Sequence, residues 1–204
     1  MSVSEDQPLG TAVGDAPNAS ARLFTGLDLP EDITARLTGL VDGLRPVADL
    51  RWSRVENLHI TTKFIGNWAV DRLAEMQTAI AGATADIRPF DVEIRGLGWF
   101  PNPHQPHTFW TGVHAGDSLS SLHAKTDAAA ASLGVPKETK TFAPHLTLAK
   151  VPAGGKTNLA PMRRAVAALD SVDFGGFRAD RFFLYQSKPG PTGSVYLKLA
   201  EFLL

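Results

Sequence analysis

The sequence predicts an α+β fold of two similar lobes, each an antiparallel sheet with helices on its outer face, flanking a central cleft. Short β-like runs alternate with helical stretches, and the strands are too widely separated for a β-sandwich. Segments of the two halves of the chain also resemble each other at one fixed offset. Two lobes related by an approximate two-fold axis account for these observations.

Start and stop signals predict four helices, which begin after Pro30 and near Asp71, Asp117 and Thr157. Pro46 ends the first helix and Gly134 ends the third. Seven strand-like runs are predicted: Arg22–Asp28, Leu58–Ile65, Phe90–Trp99, Thr108–His114, His145–Lys150, Arg178–Gln186 and Val195–Phe202.

Composition limits both the domain organisation and the classes of function. Residues 1–20 are rich in Gly, Pro, Ser and Ala, so we expect a disordered tail before a single domain over residues 21–204. The absence of cysteine excludes disulfides, thiolate zinc sites and cysteine nucleophiles. A net charge of −1 gives no basic field, so any contact with RNA is local. Without a signal peptide or a spanning segment, a cytoplasmic monomer is the default expectation.

The internal repeat has an offset of 86 residues. The segment His59–Thr62 (HITT) matches His145–Leu148 (HLTL), and 145 − 59 = 86. Leu23–Leu27 (LFTGL) matches Phe109–Val113 (FWTGV), and 111 − 25 = 86. Because two separate motifs share one register, we expect the repeated residues to face each other across the two-fold axis.

Each copy of the H-x-T-x motif places an imidazole and a hydroxyl on one face of a strand, because residues i and i+2 project together. His59 therefore lies beside Thr61, and His145 beside Thr147. Two such pairs suit one tetrahedral anion, and a phosphodiester is the natural ligand. In-line displacement at phosphorus uses a base on one side and an acid on the other, so this chemistry requires no metal. The residues alone do not say which histidine is the acid.

A single H-x-T segment is more often structural than catalytic. Here two copies occur at the repeat offset, and each is followed by a basic residue, Lys63 or Lys150. Their joint occurrence favours a functional interpretation.

These motifs resemble those of the 2H phosphoesterase superfamily, and within it the RNA 2′,3′-cyclic phosphodiesterases, also called 2′-5′ RNA ligases. The segments RLFTGLDLP, RWSRVENLHITTKFIG, WFPNPHQPHTFWTGV, TFAPHLTLAK and FFLYQSKPGPTGSVYLKLAEF support the resemblance. It implies a bilobal fold and a reaction, without cofactor, that opens the cyclic phosphate to a 2′-phosphomonoester. It also implies that His59 is the proton donor, His145 is the proton acceptor, and Thr61 and Thr147 bind phosphate.

The sequence departs from the family pattern at Lys150, where many relatives carry arginine, and at His107, where a basic Pro-Arg is frequent. We predict that Lys150 contacts phosphate as a point charge. Phe142 and Tyr185 are candidates for stacking on a base, with core packing as the alternative. The pair His104 and His107 has no nearby carboxylate, so no metal site is predicted.

Several alternatives remain open at this point. The substrate is RNA with a cyclic phosphate end or a cyclic nucleotide, and an ADP-ribose cyclic phosphate is a rival. Reversible 2′-5′ RNA ligation is a second activity, and a non-catalytic module that binds nucleotides or RNA ends is a further class. A binding module needs only hydrogen-bond donors, so the presence of both histidines and both threonines argues against it.

Overall fold

The fold is taken from a computed structural model that describes residues 19–153, 157–190 and 193–204. The predicted tail lies outside these residues except for its last two. Ser20 already belongs to the first strand, and the Ala19 carbonyl accepts a hydrogen bond from the Val70 amide at 2.9 Å.

The described residues form four α-helices, close to those predicted: α1 (Glu31–Leu44), α2 (Leu73–Thr84), α3 (Gly116–Ser132) and α4 (Ala160–Ala167). The apolar stripe of α1 that ends at Leu44 is buried, as its spacing requires. A short 3-10 turn over Val70–Arg72 delays the start of α2 beyond Asp71.

Nine strands occur in the described ranges: β1 (Ser20–Leu27), β2 (Arg51–Trp52), β3 (Ile60–Ala69), β4 (Phe90–Phe100), β5 (Thr108–His114), β6 (His145–Lys150), β7 (Asp173–Ala179), β8 (Arg181–Gly190) and β9 (Gly193–Leu203). The predicted single strand Arg178–Gln186 was wrong in its start, because residues 178 and 179 are the end of β7 and a separate strand, β8, begins after Asp180. The Gly175-Gly176 pair made β7 look like a loop, and no Gly or Pro marks the corner at Asp180.

The strands form two antiparallel sheets. Sheet A has the order β3-β1-β8-β9, and sheet B has the order β2-β6-β5-β4-β7. The sheets do not coincide with the halves of the sequence, since β4 belongs to the first copy of the repeat but lies in sheet B, whereas β8 belongs to the second copy but lies in sheet A. Each repeat therefore contributes strands to both sheets.

Helices join the two sheets in the same crossed manner. Helix α3 follows a strand of sheet B but packs on β3 of sheet A, while α1 follows a strand of sheet A but packs near β7 of sheet B. Buried residues from both sheets, including Ile60, Leu146 and Phe182, belong to one continuous hydrophobic core. In the described ranges, no helix is both long enough and apolar enough to span a bilayer.

Candidate active site

The two H-x-T-x motifs occupy equivalent places on strands that approach each other, with Cα atoms of β3 and β6 within 8 Å. His59 directly precedes β3, and His145 is the first residue of β6. Thr61 and Thr147 are both partly buried, and within the described residues neither hydroxyl has a hydrogen-bond partner. The two predicted motifs are therefore carried by strands that approach each other between the sheets.

Both imidazoles are oriented by the same hydrogen bond. Nδ1 of His59 lies 2.8 Å from the Asn57 carbonyl oxygen, and Nδ1 of His145 lies 2.8 Å from the Ala143 carbonyl oxygen. A carbonyl oxygen only accepts, so Nδ1 carries the hydrogen in each ring. Nε2 is thus the nitrogen left for chemistry, where it accepts a proton when neutral and donates one when protonated.

A β-bulge follows each motif at the same repeat position. Thr62 and Lys63 are consecutive buried residues of β3, and Leu148 and Ala149 are consecutive buried residues of β6, with 148 − 62 = 86. The strand pairing shifts register at both places. A bulge adds one residue to the strand and so shifts the alternation of side chains. The residues that follow the buried pairs, Phe64 and Lys150, therefore return to the face that bears the histidine and the threonine, here called the motif face.

Lys63 and Lys150 are not equivalent residues, because 63 + 86 = 149 and the position equivalent to Lys63 is Ala149. Lys63 points into the interior, where its Nζ lies 2.6 Å from the Asp127 carboxylate and 2.9 Å from the Pro136 carbonyl oxygen. It ties β3 to α3 and is not available to a phosphate. Of the two basic residues that follow the motifs, Lys63 is therefore excluded as a phosphate ligand, and the role of Lys150 stays a prediction.

Lys150 lies on the motif face of sheet B. Lys150 pairs with Thr108 on β5, and Thr147 pairs with Trp110 on the same strand. Thr108 and Trp110 are two residues apart, so they project to the same face of β5. The edge strand β2 adds Arg51 beside Lys150 in the same row. In sheet A the equivalent position holds Phe64, which is 61% exposed and whose ring centroid lies 6.2 Å from that of Phe24.

The surroundings of the two histidines differ. The His59 ring centroid lies 4.6 Å from that of Phe24 and 5.0 Å from that of Tyr196, with the His59 and Tyr196 planes at 85° to each other. The His145 ring meets the Phe100 ring edge-on at 4.9 Å, and Phe100 in turn stacks on Trp110. The rings of Phe24, Tyr196 and Phe100 were not predicted from the sequence to lie beside the histidines.

One source of this asymmetry is a two-residue difference in strand register. Gly26 pairs with Thr61, whereas Thr147 pairs with Trp110 rather than with Gly112. The matched LFTGL and FWTGV segments are therefore not strictly equivalent in the sheets. A Cβ atom at Gly26 would lie 2.8 Å from the Ile60 carbonyl oxygen, so glycine is required for the close approach of β1 to the first motif.

Burial among the aromatic rings lowers the pKa of His59, because a desolvated imidazolium is disfavoured. The hydrogen bond to the Asn57 carbonyl and the negative charge of Asp28 both act in the opposite direction. The hydrogen bond of His59 is partly buried, while that of His145 is exposed to solvent.

The two predicted stacking residues are packed against neighbours. Tyr185 is 4% exposed, and its ring stacks on Phe24 with a centroid distance of 4.9 Å. Phe142 stacks on His123 at 4.1 Å. The burial of Tyr185 argues for a packing role, and a stacking role for Phe142 stays a prediction. Among the described aromatic side chains of the motif face, Phe64 is the one largely exposed to solvent.

His104 and His107 lie in the exposed segment between β4 and β5. The Asn102 side chain accepts hydrogen bonds from the backbone amides of His104 and Gln105, which shapes this segment as a turn. Over the described ranges, no three His, Asp or Glu side chains come together as a metal site.

A family model described as "LigT like Phosphoesterase" matches residues 27–110 and again residues 113–196. The chain belongs to the LigT-like phosphoesterase family. The two matches begin 86 residues apart (113 − 27 = 86), which is the offset of the internal repeat. The family match therefore contains one H-x-T-x motif in each copy.

Proteins named RNA 2′,3′-cyclic phosphodiesterase are similar to this chain over most of its length. The Archaeoglobus fulgidus protein is 30% identical and covers 89% of this chain and 99% of its own. The Methanothermobacter thermautotrophicus protein is 29% identical over 90% of this chain and 98% of its own.

Solved structures share the fold. The Thermus thermophilus protein TT0787 is 27% identical, with a TM-score of 0.74 over 90% of this chain and 97% of its own. Escherichia coli LigT complexed with 3′-AMP is 21% identical, with a TM-score of 0.73 over 91% of this chain and 99% of its own. The two-lobed α+β architecture predicted from the sequence is confirmed.

Proposed function

We propose that this chain hydrolyses a 2′,3′-cyclic phosphate, at the end of RNA or on a nucleotide, to a 2′-phosphomonoester. The observation that carries the proposal is the pair of identically oriented imidazoles, each with a free Nε2 beside a threonine hydroxyl. The names of the relatives supply the substrate class.

In the proposed reaction, Nε2 of His145 removes a proton from water as its oxygen attacks phosphorus. The bond from phosphorus to O3′ breaks, and protonated Nε2 of His59 donates its proton to O3′. The products are a 3′-hydroxyl and a 2′-phosphate, and solvent restores both protonation states. Positioned acids and bases suffice for such a displacement, so no step depends on a metal.

Thr61 and Thr147 are proposed to donate hydrogen bonds to phosphate oxygens, since their hydroxyls are available on the motif face. Lys150 is proposed to add a positive charge next to Thr147, supported by the strand register. Phe64 offers an exposed aromatic surface beside the first motif, which is suited to stacking on a nucleobase.

The acid role of His59 requires a protonated ring, although burial lowers its pKa in the free protein. Two negative charges act against burial. One is the Asp28 carboxylate, and the other is the phosphodiester, whose single charge favours the imidazolium once substrate binds. His59 is therefore expected to hold its proton more firmly in the complex than in the free protein.

The test is incubation with a nucleoside 2′,3′-cyclic phosphate and with an RNA oligonucleotide bearing the same end, each in EDTA. The expected product is the 2′-phosphomonoester, identified by comparison with authentic 2′- and 3′-phosphates. A 3′-phosphate would reverse the acid and base roles. Loss of activity in EDTA that returns with a metal would contradict the metal-independent reaction.

The control is the double variant His59→Ala/His145→Ala, assayed for binding as well as turnover. Binding without turnover by the unaltered chain would overturn the proposal in favour of a binding module. An ADP-ribose cyclic phosphate, assayed in parallel, reports whether the site prefers that substrate.

A further inference from the structure

Three polar side chains from different parts of sheet A meet close to the His59 ring. The Tyr185 hydroxyl on β8 donates a hydrogen bond to one oxygen of Asp28, the residue that follows β1. Nζ of Lys198 on β9 lies 2.6 Å from the other Asp28 oxygen. The Lys198 ammonium also lies over the Phe183 ring, 4.1 Å from its centroid. Asp28 is thus held by one neutral and one charged donor.

This cluster is in contact with the proposed acid through aromatic rings. The Tyr185 ring centroid is 6.1 Å from that of His59, and Phe24 stacks on Tyr185 while contacting His59. Burial raises the pKa of the Tyr185 phenol, with the Asp28 charge adding to the effect, so Tyr185 stays a neutral donor. The Asp28 charge raises the pKa of His59, against the larger lowering that burial causes.

Further titratable groups lie beside His59 or in the turn that precedes it. The Tyr196 phenol on β9 belongs to the ring that meets His59 edge-on. In the turn before the motif, Arg54 and Glu56 form an ion pair at 2.7 Å. Lys198 has its charge directed to Asp28, where it reduces the carboxylate's effect on the imidazole.

Within the described residues, the position equivalent to Asp28 beside the second histidine holds no carboxylate. The repeat offset places His114 at the position of Asp28 (28 + 86 = 114), and the observed strand register places Gly112 there. Neither residue is acidic. The repeat makes the two motifs alike, but the charge of the residues beside them differs.

We propose that Asp28, held by Tyr185 and Lys198, is a positioning residue that keeps the proton on His59 and so distinguishes the acid histidine from the base. This inference rests on the proposed function. A phosphate bound between two equivalent imidazoles favours protonation of both, yet the reaction needs one charged and one neutral ring. A carboxylate beside only one of them separates their protonation states.

The experiment compares Asp28→Asn, Lys198→Met and a control, Asp91→Asn, whose carboxylate pairs with Arg178 at an exposed position on sheet B. Imidazole NMR titration of each full-length variant, with His59 assigned through His59→Gln, measures the His59 pKa without turnover. We expect this pKa to fall in Asp28→Asn, to rise in Lys198→Met and to stay unchanged in Asp91→Asn.

The pH profile of kcat/KM on a nucleoside 2′,3′-cyclic phosphate tests the catalytic consequence. The alkaline limb reports loss of the acid's proton, so Asp28→Asn is expected to lower kcat/KM on that side by about threefold, the order of effect of one partly screened charge. Lys198→Met is expected to move the same limb to higher pH, and the acidic limb should not move in either variant.

Unchanged His59 titration in both variants would overturn the inference, as would a uniform loss of kcat/KM at all pH values, which indicates a purely structural cluster. Movement of the acidic limb instead would show that Asp28 acts on the base. If the NMR shifts occur but no variant turns over the substrate, the proposed function fails while the electrostatic link between Asp28 and His59 stands.

Discussion

At the scale of single residues, the site depends on two nitrogens that the backbone orients identically. Because each Nδ1 donates to a carbonyl two residues earlier, the ring cannot rotate without losing that bond. The threonine hydroxyls contribute hydrogen bonds rather than proton transfer. The two residue types should therefore differ in their effect on rate.

We expect His59→Ala and His145→Ala each to lower kcat/KM by about 10²–10⁴-fold, the usual contribution of a positioned acid or base. Thr61→Ala and Thr147→Ala should lower it by about tenfold, since each removes one hydrogen bond to phosphate. Steady-state rates on a nucleoside 2′,3′-cyclic phosphate measure both effects. His104→Ala, in the exposed turn, is the control and should match the unaltered chain.

The pH dependence of the rate follows from the lowered pKa of His59. An acid must be protonated, so kcat/KM, which reports the free protein, should decline as pH rises through a value below the ordinary 6.5 or so of histidine. The bound phosphodiester raises the pKa, so the alkaline limb of kcat should lie at higher pH. Full pH profiles of both parameters check this, and coincident limbs would contradict it.

At the scale of elements, the bulge in β3 turns Lys63 into the interior. Burial raises the pKa of Asp127, but hydrogen bonds from Lys63 and from the Glu138 amide outweigh burial, and the pKa lies below its usual range. The folded state therefore gains stability from this carboxylate at neutral pH, and loses it as pH falls through the lowered pKa.

Lys63→Met is expected to lower the free energy of unfolding by about 3 kcal/mol, because it leaves Asp127 without its partner in a largely buried site. Lys125→Met removes the more exposed pair of α3 with Asp86 and should cost under about 1 kcal/mol. Urea titration at pH 7 measures both. Equal losses would show that burial of the Lys63 pair is unimportant.

A second element-scale feature is the close packing of β4 against β5. A Cβ atom at Gly98 would lie 2.2 Å from the Trp110 ring, which stacks on Phe100 beside His145. Gly98→Ala should therefore displace these rings, destabilise the fold by about 1–3 kcal/mol and lower kcat/KM.

The matched control is Gly82→Ala in α2, where an added Cβ meets nothing within 4 Å. It should leave kcat/KM unchanged and raise stability by up to about 1 kcal/mol, because alanine favours the helix. Thermal unfolding and steady-state assays measure the two variants side by side. Normal activity in Gly98→Ala would show that the stack of Trp110 on Phe100 does not position His145.

At the scale of the whole molecule, the exchange of strands between repeats joins the two lobes. Sheet A combines β1 and β3 with β8 and β9, and sheet B combines β2 and β4 with β5, β6 and β7, with one core beneath both. Neither half of the sequence holds a complete sheet. The lobes should therefore unfold together.

Single-tryptophan variants that retain Trp68 in sheet A or Trp99 in sheet B provide separate probes of the two sheets. We expect fluorescence from both to give one denaturation midpoint and one slope. Midpoints that differ by more than the error of the fits would show that the lobes are independent folding units. The unaltered chain, followed by circular dichroism, supplies the reference transition.

The motif itself could be predicted from sequence because it is local. Alternation along a strand sets His59 with Thr61 and His145 with Thr147, and the offset of 86 depends only on comparing the chain with itself. The helices were also predictable, since their apolar spacing and stop residues lie within each segment.

The tertiary structure alone decided which residues surround the motifs. The bulges that bury Lys63 and expose Phe64 arise from strand pairing, which spacing along one strand does not reveal. The same holds for the register that sets Gly26 beside Thr61 and Trp110 beside Thr147. Asp28 lies 31 residues from His59 (59 − 28 = 31) and meets Tyr185 and Lys198 only after sheet A forms. The sequence by itself determined two equivalent His–Thr pairs, and long-range packing made their surroundings unequal.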